Sequence, residues 1–204
     1  MPEIDLIFSI QKLKDLFYKK LFYRNIRGLD RIYPNMFEAD LEDFIERALV
    51  KIDSHNYKFT PYLERLIPRK STKPPRVISI ASIKDQIILL ALKEYLHMMF
   101  PEAINRKLPN NYIKEIRQLN INSSYFAIRT DIKNFFPSID HDKLITKLEA
   151  KIENRKIIKL IKRAIVNPTV PYNYRKKDKN KYWNKKGIPQ GLSISSILAI
   201  YIFN

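Results

Sequence analysis

Asp131 is the residue whose type and position in this sequence most clearly suggest chemistry. It follows the apolar run from Tyr125 to Thr130, which is typical of a strand, and it precedes a turn with two phenylalanines and a proline. A carboxylate at the end of a strand projects from a rigid edge and can bind Mg²⁺, which prefers oxygen ligands and substrate phosphates. The alternative is that Asp131 only caps the turn by accepting hydrogen bonds from backbone N–H groups.

The segment GIPQGLSISSIL, from Gly187 to Leu198, is the second informative stretch. Its glycines and proline indicate a turn, and the Ser-rich apolar residues that follow predict a helix beginning near Gly191. A Pro-Gln-Gly sequence alone signals only a turn. In combination with the segment around Asp131, it favours phosphoryl transfer assisted by two metal ions, which activate a hydroxyl and stabilise the leaving oxygen.

The charge of the chain favours a polyanionic partner. Lys and Arg number 38 against 21 Asp and Glu, which gives a net charge of +17 over 204 residues. Nucleic acid is the first candidate, because each neutralised phosphate releases counterions. A basic surface that binds nothing is the alternative. We expect no membrane partner, because we find no amphipathic segment with its basic residues concentrated opposite one apolar face.

Several classes of site are excluded or disfavoured by composition. Cysteine is absent, which excludes disulfides and thiolate metal sites and fits a reducing compartment. His55, His97 and His141 lack the spacing of a zinc-binding helix, so we interpret them as surface or helix-end residues. No apolar run is long enough to span a membrane, and the first residues lack the basic start of a signal peptide. We therefore expect a cytoplasmic protein.

The elements that would position these segments form an α+β pattern. An N-cap at Asp140 is expected, with Ile139 and Leu144 stapling the helix entry. The basic and aromatic residues 172–186 predict a flexible hairpin. The periodicity predicts helices at 4–25, 38–53, 83–100, 143–151 and 154–166, an extended stretch at 57–75, and strands at 76–80 and 125–130.

On these residues the chain resembles the N-terminal part of a bacterial reverse transcriptase, an RNA-directed DNA polymerase of the phage-defence, retron or group II intron type. RTDIKNFFPSIDHDKL resembles motif A of that family, and GIPQGLSIS resembles motif B. RLIPRKSTKPPRVISIASIKDQIILLAL resembles its fingers segment. The three segments occur in the family's order and cover most of the chain.

The resemblance implies a right-hand polymerase fold that is helix-rich and has a small antiparallel palm sheet. Residues 1–60 would form an N-terminal helical segment, 61–124 the fingers, and 125–204 a partial palm with a basic loop at 172–186. The hairpin with the second aspartate pair and the thumb, which the family places after motif B, do not occur in this sequence. We therefore expect a truncated product, an incomplete gene or one part of a split enzyme, inactive or nearly so alone.

The resemblance also implies roles for the residues of motif A. Asp131 would be the catalytic ligand to two Mg²⁺ ions in the complete enzyme, and the backbone carbonyl of Ile132 would help to hold one of them. Phe136 would be a steric gate that favours deoxynucleotides by colliding with a 2′-hydroxyl. Its alternative role is ordinary core packing, which we expect for Phe135.

Four further residues would bind the nucleotide if the resemblance holds. Arg76 would contact the triphosphate, for which a planar guanidinium is well suited. Arg69 stands where the family often has Lys, so its charge is kept but its geometry differs. For both arginines the alternative is a solvated surface charge. Gln190 and Gly191 would border the nucleotide pocket, where Gly allows close backbone approach.

The basic segment at 172–186 is a candidate nucleic-acid contact. Its cations would meet a phosphate backbone while its rings stack on exposed bases, although a solvated loop explains the composition equally well. The candidate residues are Arg175, Lys176, Lys177, Tyr182, Trp183 and Lys185.

Two functions of different classes follow. The first is an RNA-directed DNA polymerase that transfers nucleotides to a primer 3′-hydroxyl with Mg²⁺, in bacterial antiphage defence. Its partners would be an RNA template and primer or a structured noncoding RNA, and deoxynucleoside triphosphates. A C-terminal complementing fragment or a homo-oligomer is a further option. The second is a noncatalytic RNA-binding scaffold of a defence or intron-processing complex.

Overall fold

The computed structural model describes residues 4–69, 74–104, 109–119, 128 and 130–203. Three strands are present in these ranges: β1 (Tyr62–Ile67), β2 (Arg76–Ile80) and β3 (Thr169–Val170). Short 3₁₀ helices occupy Glu38–Asp40, Pro101–Ala103 and Lys176–Tyr182. The α-helices are α1 (Ile4–Ile7), α2 (Ile10–Lys20), α3 (Pro34–Phe37), α4 (Leu41–Asp53), α5 (Ile83–Met99), α6 (Pro109–Gln118), α7 (Phe135–Ser138), α8 (His141–Glu149), α9 (Arg155–Val166) and α10 (Ser195–Phe203).

The predicted helix at 4–25 is divided into α1 and α2. Ser9 separates them because its hydroxyl accepts a hydrogen bond from the Lys12 N–H at 3.3 Å and so caps a new helix. The expected N-cap at Asp140 is confirmed, since its carboxylate accepts from the Lys143 N–H at 3.0 Å. The helices predicted at 83–100 and 154–166 are confirmed as α5 and α9. Helix α6 was not predicted.

The sheet has the order β2-β1-β3 and is mixed. β1 and β2 pair antiparallel, with Leu63 opposite Ile80 and Ile67 opposite Arg76. β3 runs parallel to β1. The predicted helix-rich fold with a small sheet is confirmed, and the sheet in the described residues is mixed. β3 belongs to the predicted palm and β1 to the predicted fingers, and the sheet therefore joins the two. The strand predicted at 125–130 lies outside the described residues except for Ile128 and Thr130.

Helix α5 lies at the centre of the core. It is apolar on nearly every face and buries side chains such as Ile87, Leu92 and Leu96 completely. Each fully buried side chain of this size contributes about 1.5–3 kcal/mol to folding. α5 packs against α2 and α10, so it connects the N-terminal helices to the segment that follows the Pro-Gln-Gly turn. Among the described helices, none has both the length and the apolar character needed to cross a membrane.

Asp85 fixes the extended stretch to the start of α5. Its buried carboxylate accepts hydrogen bonds from the Tyr57 hydroxyl at 2.8 Å, the Thr60 N–H at 2.9 Å and the Ser82 hydroxyl at 2.9 Å. Burial raises the pKa of Asp85 to about 6, although each of these hydrogen bonds lowers it. The segment from Tyr57 to Thr60 is thereby held rigidly, and β1 begins two residues later.

Candidate functional site

The turn before α8 and the Pro-Gln-Gly turn are joined by backbone hydrogen bonds. The Ile188 N–H donates to the Phe136 carbonyl at 2.9 Å, and the Gly187 N–H donates to the Ile139 carbonyl at 2.7 Å. The two segments singled out in the sequence therefore meet directly, although about 50 residues separate them in the chain. These main-chain hydrogen bonds hold the two turns in contact.

Gly187 makes this contact possible. Its φ is +84°, in the region that favours glycine, and a Cβ there would lie 2.7 Å from Pro137 Cα and 2.9 Å from the Phe136 carbonyl oxygen. Any side chain would push the two turns apart. His141 and Asn184 both bond the Gly187 carbonyl, His141 Nε2 at 2.6 Å and Asn184 Nδ2 at 3.0 Å.

The contact of His141 was missed by the sequence analysis. His141 is the first residue of α8, which agrees with a helix-end position, but its ring also links the two turns. The bonded atoms lie 46 residues apart in the chain. No local pattern can signal such a contact, because it depends on the tertiary arrangement.

The Pro-Gln-Gly turn also docks on β2. The Ser79 N–H donates to the Gln190 carbonyl at 2.6 Å. Gly191 has φ +104°, and a Cβ there would lie 2.7 Å from Ile78 Cγ2 and 2.9 Å from the Ser79 carbonyl oxygen. At the end of the turn, the buried Ser195 hydroxyl donates to the Pro189 carbonyl at 2.6 Å, at the start of α10. The turn is thus clamped between β2 on one side and α7 on the other.

A cleft of about 430 Å³ opens between these elements, and we call it the central cleft. Arg69, just after β1, and Arg76, the first residue of β2, line it from one side. Asn134 and Pro137 line it at α7, and Gln190 lines it from the Pro-Gln-Gly turn. The cleft therefore unites three of the predicted nucleotide-binding residues. From the basic segment, Tyr182, Trp183, Lys181 and Lys186 line the same cleft.

The central cleft has a strongly positive lining. Both arginines are exposed. Among the residues that the structure describes, no carboxylate lines the cleft. Lys181 is partly neutralised by Asp178 at 2.9 Å, and this hydrogen bond raises the pKa of Lys181. Cations with planar guanidinium groups at a concave surface are suited to the oxygens of a phosphate chain.

The remaining predicted residues lie outside the cleft lining. Asp131 and Ile132 are exposed and come just before Asn134, whose left-handed backbone (φ 54°) turns the chain into α7. Phe136 is half-buried and packs against the core. Its ring lies edge-to-face with the Phe135 ring, with 5.6 Å between the ring centroids. Gly191 lines a separate cavity of about 380 Å³ on the other side of β2.

The basic segment differs from the predicted hairpin. Residues Lys176–Tyr182 form a 3₁₀ helix. The Tyr174 and Tyr182 rings lie edge-to-face, with 6.1 Å between their centroids. Arg175, Lys176, Lys177 and Lys185 are exposed but do not line the central cleft. Tyr182 therefore lines the central cleft at the end of this 3₁₀ helix, while most of the cations of the segment face solvent.

The described residues fit a divalent metal only in part. The Asp131 carboxylate and the Ile132 carbonyl offer oxygen atoms of the kind that Mg²⁺ prefers. However, no group of three or more His, Cys, Asp or Glu residues that could hold an ion occurs within the described ranges. Further oxygen ligands would have to come from substrate phosphates, from water or from carboxylates outside those ranges.

A family model described as "Reverse transcriptase (RNA-dependent DNA polymerase)" matches residues 67–204, which is well over half of the chain. The chain belongs to the reverse transcriptase family. Its members are nucleotidyltransferases, and the matched range holds every residue that the sequence analysis assigned to a site. Helices α1 to α4 precede the match.

The chain is also similar to one curated protein and to solved structures. The chain is 28% identical over 177 residues to an uncharacterized 91 kDa protein in the cob intron of Schizosaccharomyces pombe, which covers 83% of this chain and 21% of that protein. Two solved chains, from a partial Cas6-RT-Cas1–Cas2 complex and from a Cas6-RT-Cas1–Cas2 complex, share its fold. Both have a TM-score of 0.55 and 17% identity over 98% of this chain. The chain spans 33% and 21% of their respective lengths.

Proposed function

We propose that this chain provides the fingers and a partial palm of an RNA-directed DNA polymerase, which extends a primer 3′-hydroxyl by Mg²⁺-dependent nucleotidyl transfer. The observation that carries the proposal is the junction of the two turns beside an arginine-lined cleft. The bond from the Ile188 N–H to the Phe136 carbonyl places motif A against motif B, and Arg69, Arg76 and Gln190 converge next to them.

The cleft residues would bind and orient a deoxynucleoside triphosphate. Arg76 and Arg69 carry the positive charge for the triphosphate, and their fork of N–H donors matches phosphate oxygens. The Gln190 amide can hydrogen-bond near the sugar, since the Gln190 main chain is fixed by Ser79. Phe136 would limit the space beneath the sugar and so select against a 2′-hydroxyl. Gly191 would allow close approach of the backbone.

Asp131 would hold the divalent ions, with help from the Ile132 carbonyl. Mg²⁺ bound there would activate the primer hydroxyl and stabilise the leaving pyrophosphate. The exposure of Asp131 supports this role over turn capping, because a capping carboxylate would be bonded to backbone N–H groups and none is seen for Asp131 in the described residues. The exposed cations of the basic segment, with Tyr182 and Trp183, would contact the template or a bound RNA.

The similar proteins support two alternative biological settings. A chain whose fold this one shares is found with Cas6, Cas1 and Cas2, which supports a role in bacterial antiphage defence and protein partners in a complex. The relative in a cob intron supports an intron-associated role instead. We favour defence, with a structured RNA or a template and primer as the nucleic-acid partner.

Primer extension on an RNA template tests the reaction. We expect the Asp131→Ala variant of the full gene product to lose extension by at least about 100-fold, since the carboxylate would be a metal ligand. Asp142→Ala is the matched control, because Asp142 is an exposed carboxylate in the first turn of α8. Equal activity of the wild type and Asp131→Ala would refute the polymerase assignment.

A noncatalytic RNA-binding scaffold is the second candidate. The incomplete set of metal ligands in the described residues favours it. It predicts salt-dependent RNA binding that persists in a chelator and is unchanged by Asp131→Ala, with no extension under any condition. Binding isotherms measured beside the extension assay separate the two functions.

A further inference from the structure

Helix α9 has a polar face made entirely of cations. Its apolar residues, such as Ile157, Ile161 and Ile165, are buried in the core. The expectation that no segment concentrates basic residues opposite one apolar face is therefore wrong. A membrane role still does not follow, because the protein itself covers the apolar face. The cations of α9 are Arg155, Lys156, Lys159, Lys162 and Arg163.

The turn after α4 lies against this cationic face. Arg163 Nη1 donates to the Tyr57 carbonyl at 2.8 Å, and Lys156 Nζ contacts Asp53 Oδ1 at 2.6 Å. Between these contacts lies His55, whose pKa is lowered by burial and then by the positive charges of Lys159, Lys156 and Arg163. The side chains of α9 thus create a positive field at the turn.

A concave slot of about 520 Å³ opens on the other side of the turn. Its walls come from α4, the turn and the start of α5. The carboxylate-bearing residue in its lining is Asp85, which is buried and already accepts hydrogen bonds from Tyr57, Thr60 and Ser82. Lys51 and Lys58 are exposed, and Asn56 adds a neutral donor. The cations that line the slot are Arg47, Lys51, Lys58 and Lys84.

Few carboxylates balance this charge. Asp43 pairs with Arg47 at 2.7 Å, and Asp53 pairs with Lys156. Within the described ranges, Lys51, Lys58, Lys159 and Lys162 form no ion pair. Unpaired cations on both sides of one rigid turn repel each other, and a polyanion that bridges them would relieve this repulsion.

We propose that this surface binds the phosphate backbone of an RNA outside the central cleft. We call it the α4–α9 surface and define it by Lys51, Asn56, Lys58, Lys84 and Lys159. It shares no lining residue with the central cleft. Its concave slot and fixed turn fit a backbone that enters a groove better than they fit a flat lipid surface. The inference goes beyond the polymerase reaction, because binding here requires neither Asp131 nor a divalent ion.

Fluorescence anisotropy with a labelled RNA hairpin, in a chelator, tests this surface. The variant Lys51→Gln/Lys58→Gln/Lys159→Gln should bind at least about 10-fold more weakly. The slope of log affinity against log salt concentration should fall by about 2, since each lost phosphate contact removes about 0.7–0.9. The matched control, Lys20→Gln/Lys114→Gln/Arg117→Gln, removes three exposed cations elsewhere and should change affinity less than about 3-fold.

Two more variants show whether a loss of RNA affinity comes from lost charge, from misfolding or from the polymerase site. Replacing the same three lysines by Arg keeps the charge and should keep wild-type affinity, whereas a packing defect would not be rescued. Asp131→Ala should bind RNA like the wild type, so failure of the polymerase proposal leaves this result intact.

Two results would overturn the inference. The first is equal losses of RNA affinity in the surface variant and the matched control. The second is unchanged RNA affinity in the surface variant. If that variant instead lost binding to phosphatidylserine vesicles or to polyglutamate, the surface would be assigned to a membrane or to an acidic protein.

Discussion

The Pro-Gln-Gly turn and the segment at Asp131 are held in opposite ways. The turn is clamped by backbone hydrogen bonds to Phe136 and Ser79, and its glycines accept no side chain. Asp131 and Ile132 are exposed. The comparison teaches that the Pro-Gln-Gly turn is built into the fold, while Asp131, the proposed metal ligand, is exposed. Stability and activity should therefore respond differently to changes in the two regions.

The largest effect on stability is expected from Gly187→Val. A β-branched residue at φ +84° is strained, and its Cβ would collide with the main chain of Pro137. We expect the free energy of unfolding in urea to fall by at least about 3 kcal/mol. The neighbouring exposed Lys186→Ala should change it by less than about 0.5 kcal/mol. A fully stable Gly187→Val protein would show that the turn is not clamped against motif A.

Asp85, in the first turn of α5, offers a pH-dependent test of stability. Asp85→Asn should lower the free energy of unfolding by about 1–3 kcal/mol, because an amide cannot accept from all three donors. Burial raises the pKa of Asp85 to about 6, so protonation favours the folded state. This stabilisation is fully present below the unfolded pKa of 3.8 and is lost as the pH rises through about 6.

The stability difference between the wild type and Asp85→Asn should therefore be larger near pH 5 than near pH 7.5, by about 1 kcal/mol. Urea unfolding of both proteins at the two pH values measures it, and other titrating groups cancel in the difference. A difference that grows towards higher pH would mean that the carboxylate is stabilised as the anion.

A smaller effect is expected from His141→Ala. It removes the hydrogen bond to the Gly187 carbonyl, which Asn184 also bonds, and should lower the free energy of unfolding by about 1 kcal/mol. His141→Gln can keep a donor and should recover part of the loss. If His141→Ala costs as much as Gly187→Val, the side chain and not the main chain holds the turn.

Local patterns predicted the parts of the fold that depend on neighbours in the chain. The spacing of apolar residues placed α5 and α9, and Asp140 was recognised as a cap because its partner lies three residues away. Ser9 shows where such patterns fail to locate a helix boundary. The apolar periodicity of 4–25 continues across Ser9, but its hydroxyl caps a new helix there. The parallel pairing of Tyr62 with Thr169 could not be predicted, because nothing near either residue specifies the other.

The candidate site likewise has residues that the sequence predicted and contacts that it could not predict. The resemblance selected Arg69, Arg76 and Gln190, and the structure brings them to one cleft. The inclusion of Tyr182 and Trp183 in that cleft depends on how residues 172–186 fold back, which composition does not encode. The link from His141 to Gly187 likewise needed the tertiary structure.

The most direct test of the account measures stability and primer extension on one variant, Asp131→Ala. Because Asp131 is exposed, the free energy of unfolding of the variant should stay within about 0.5 kcal/mol of the wild-type value. Primer extension by the full gene product that carries the substitution should be lost. An unfolding loss above about 2 kcal/mol would show that the carboxylate serves the fold. Undiminished extension by a stable variant would show that this carboxylate is not the metal ligand.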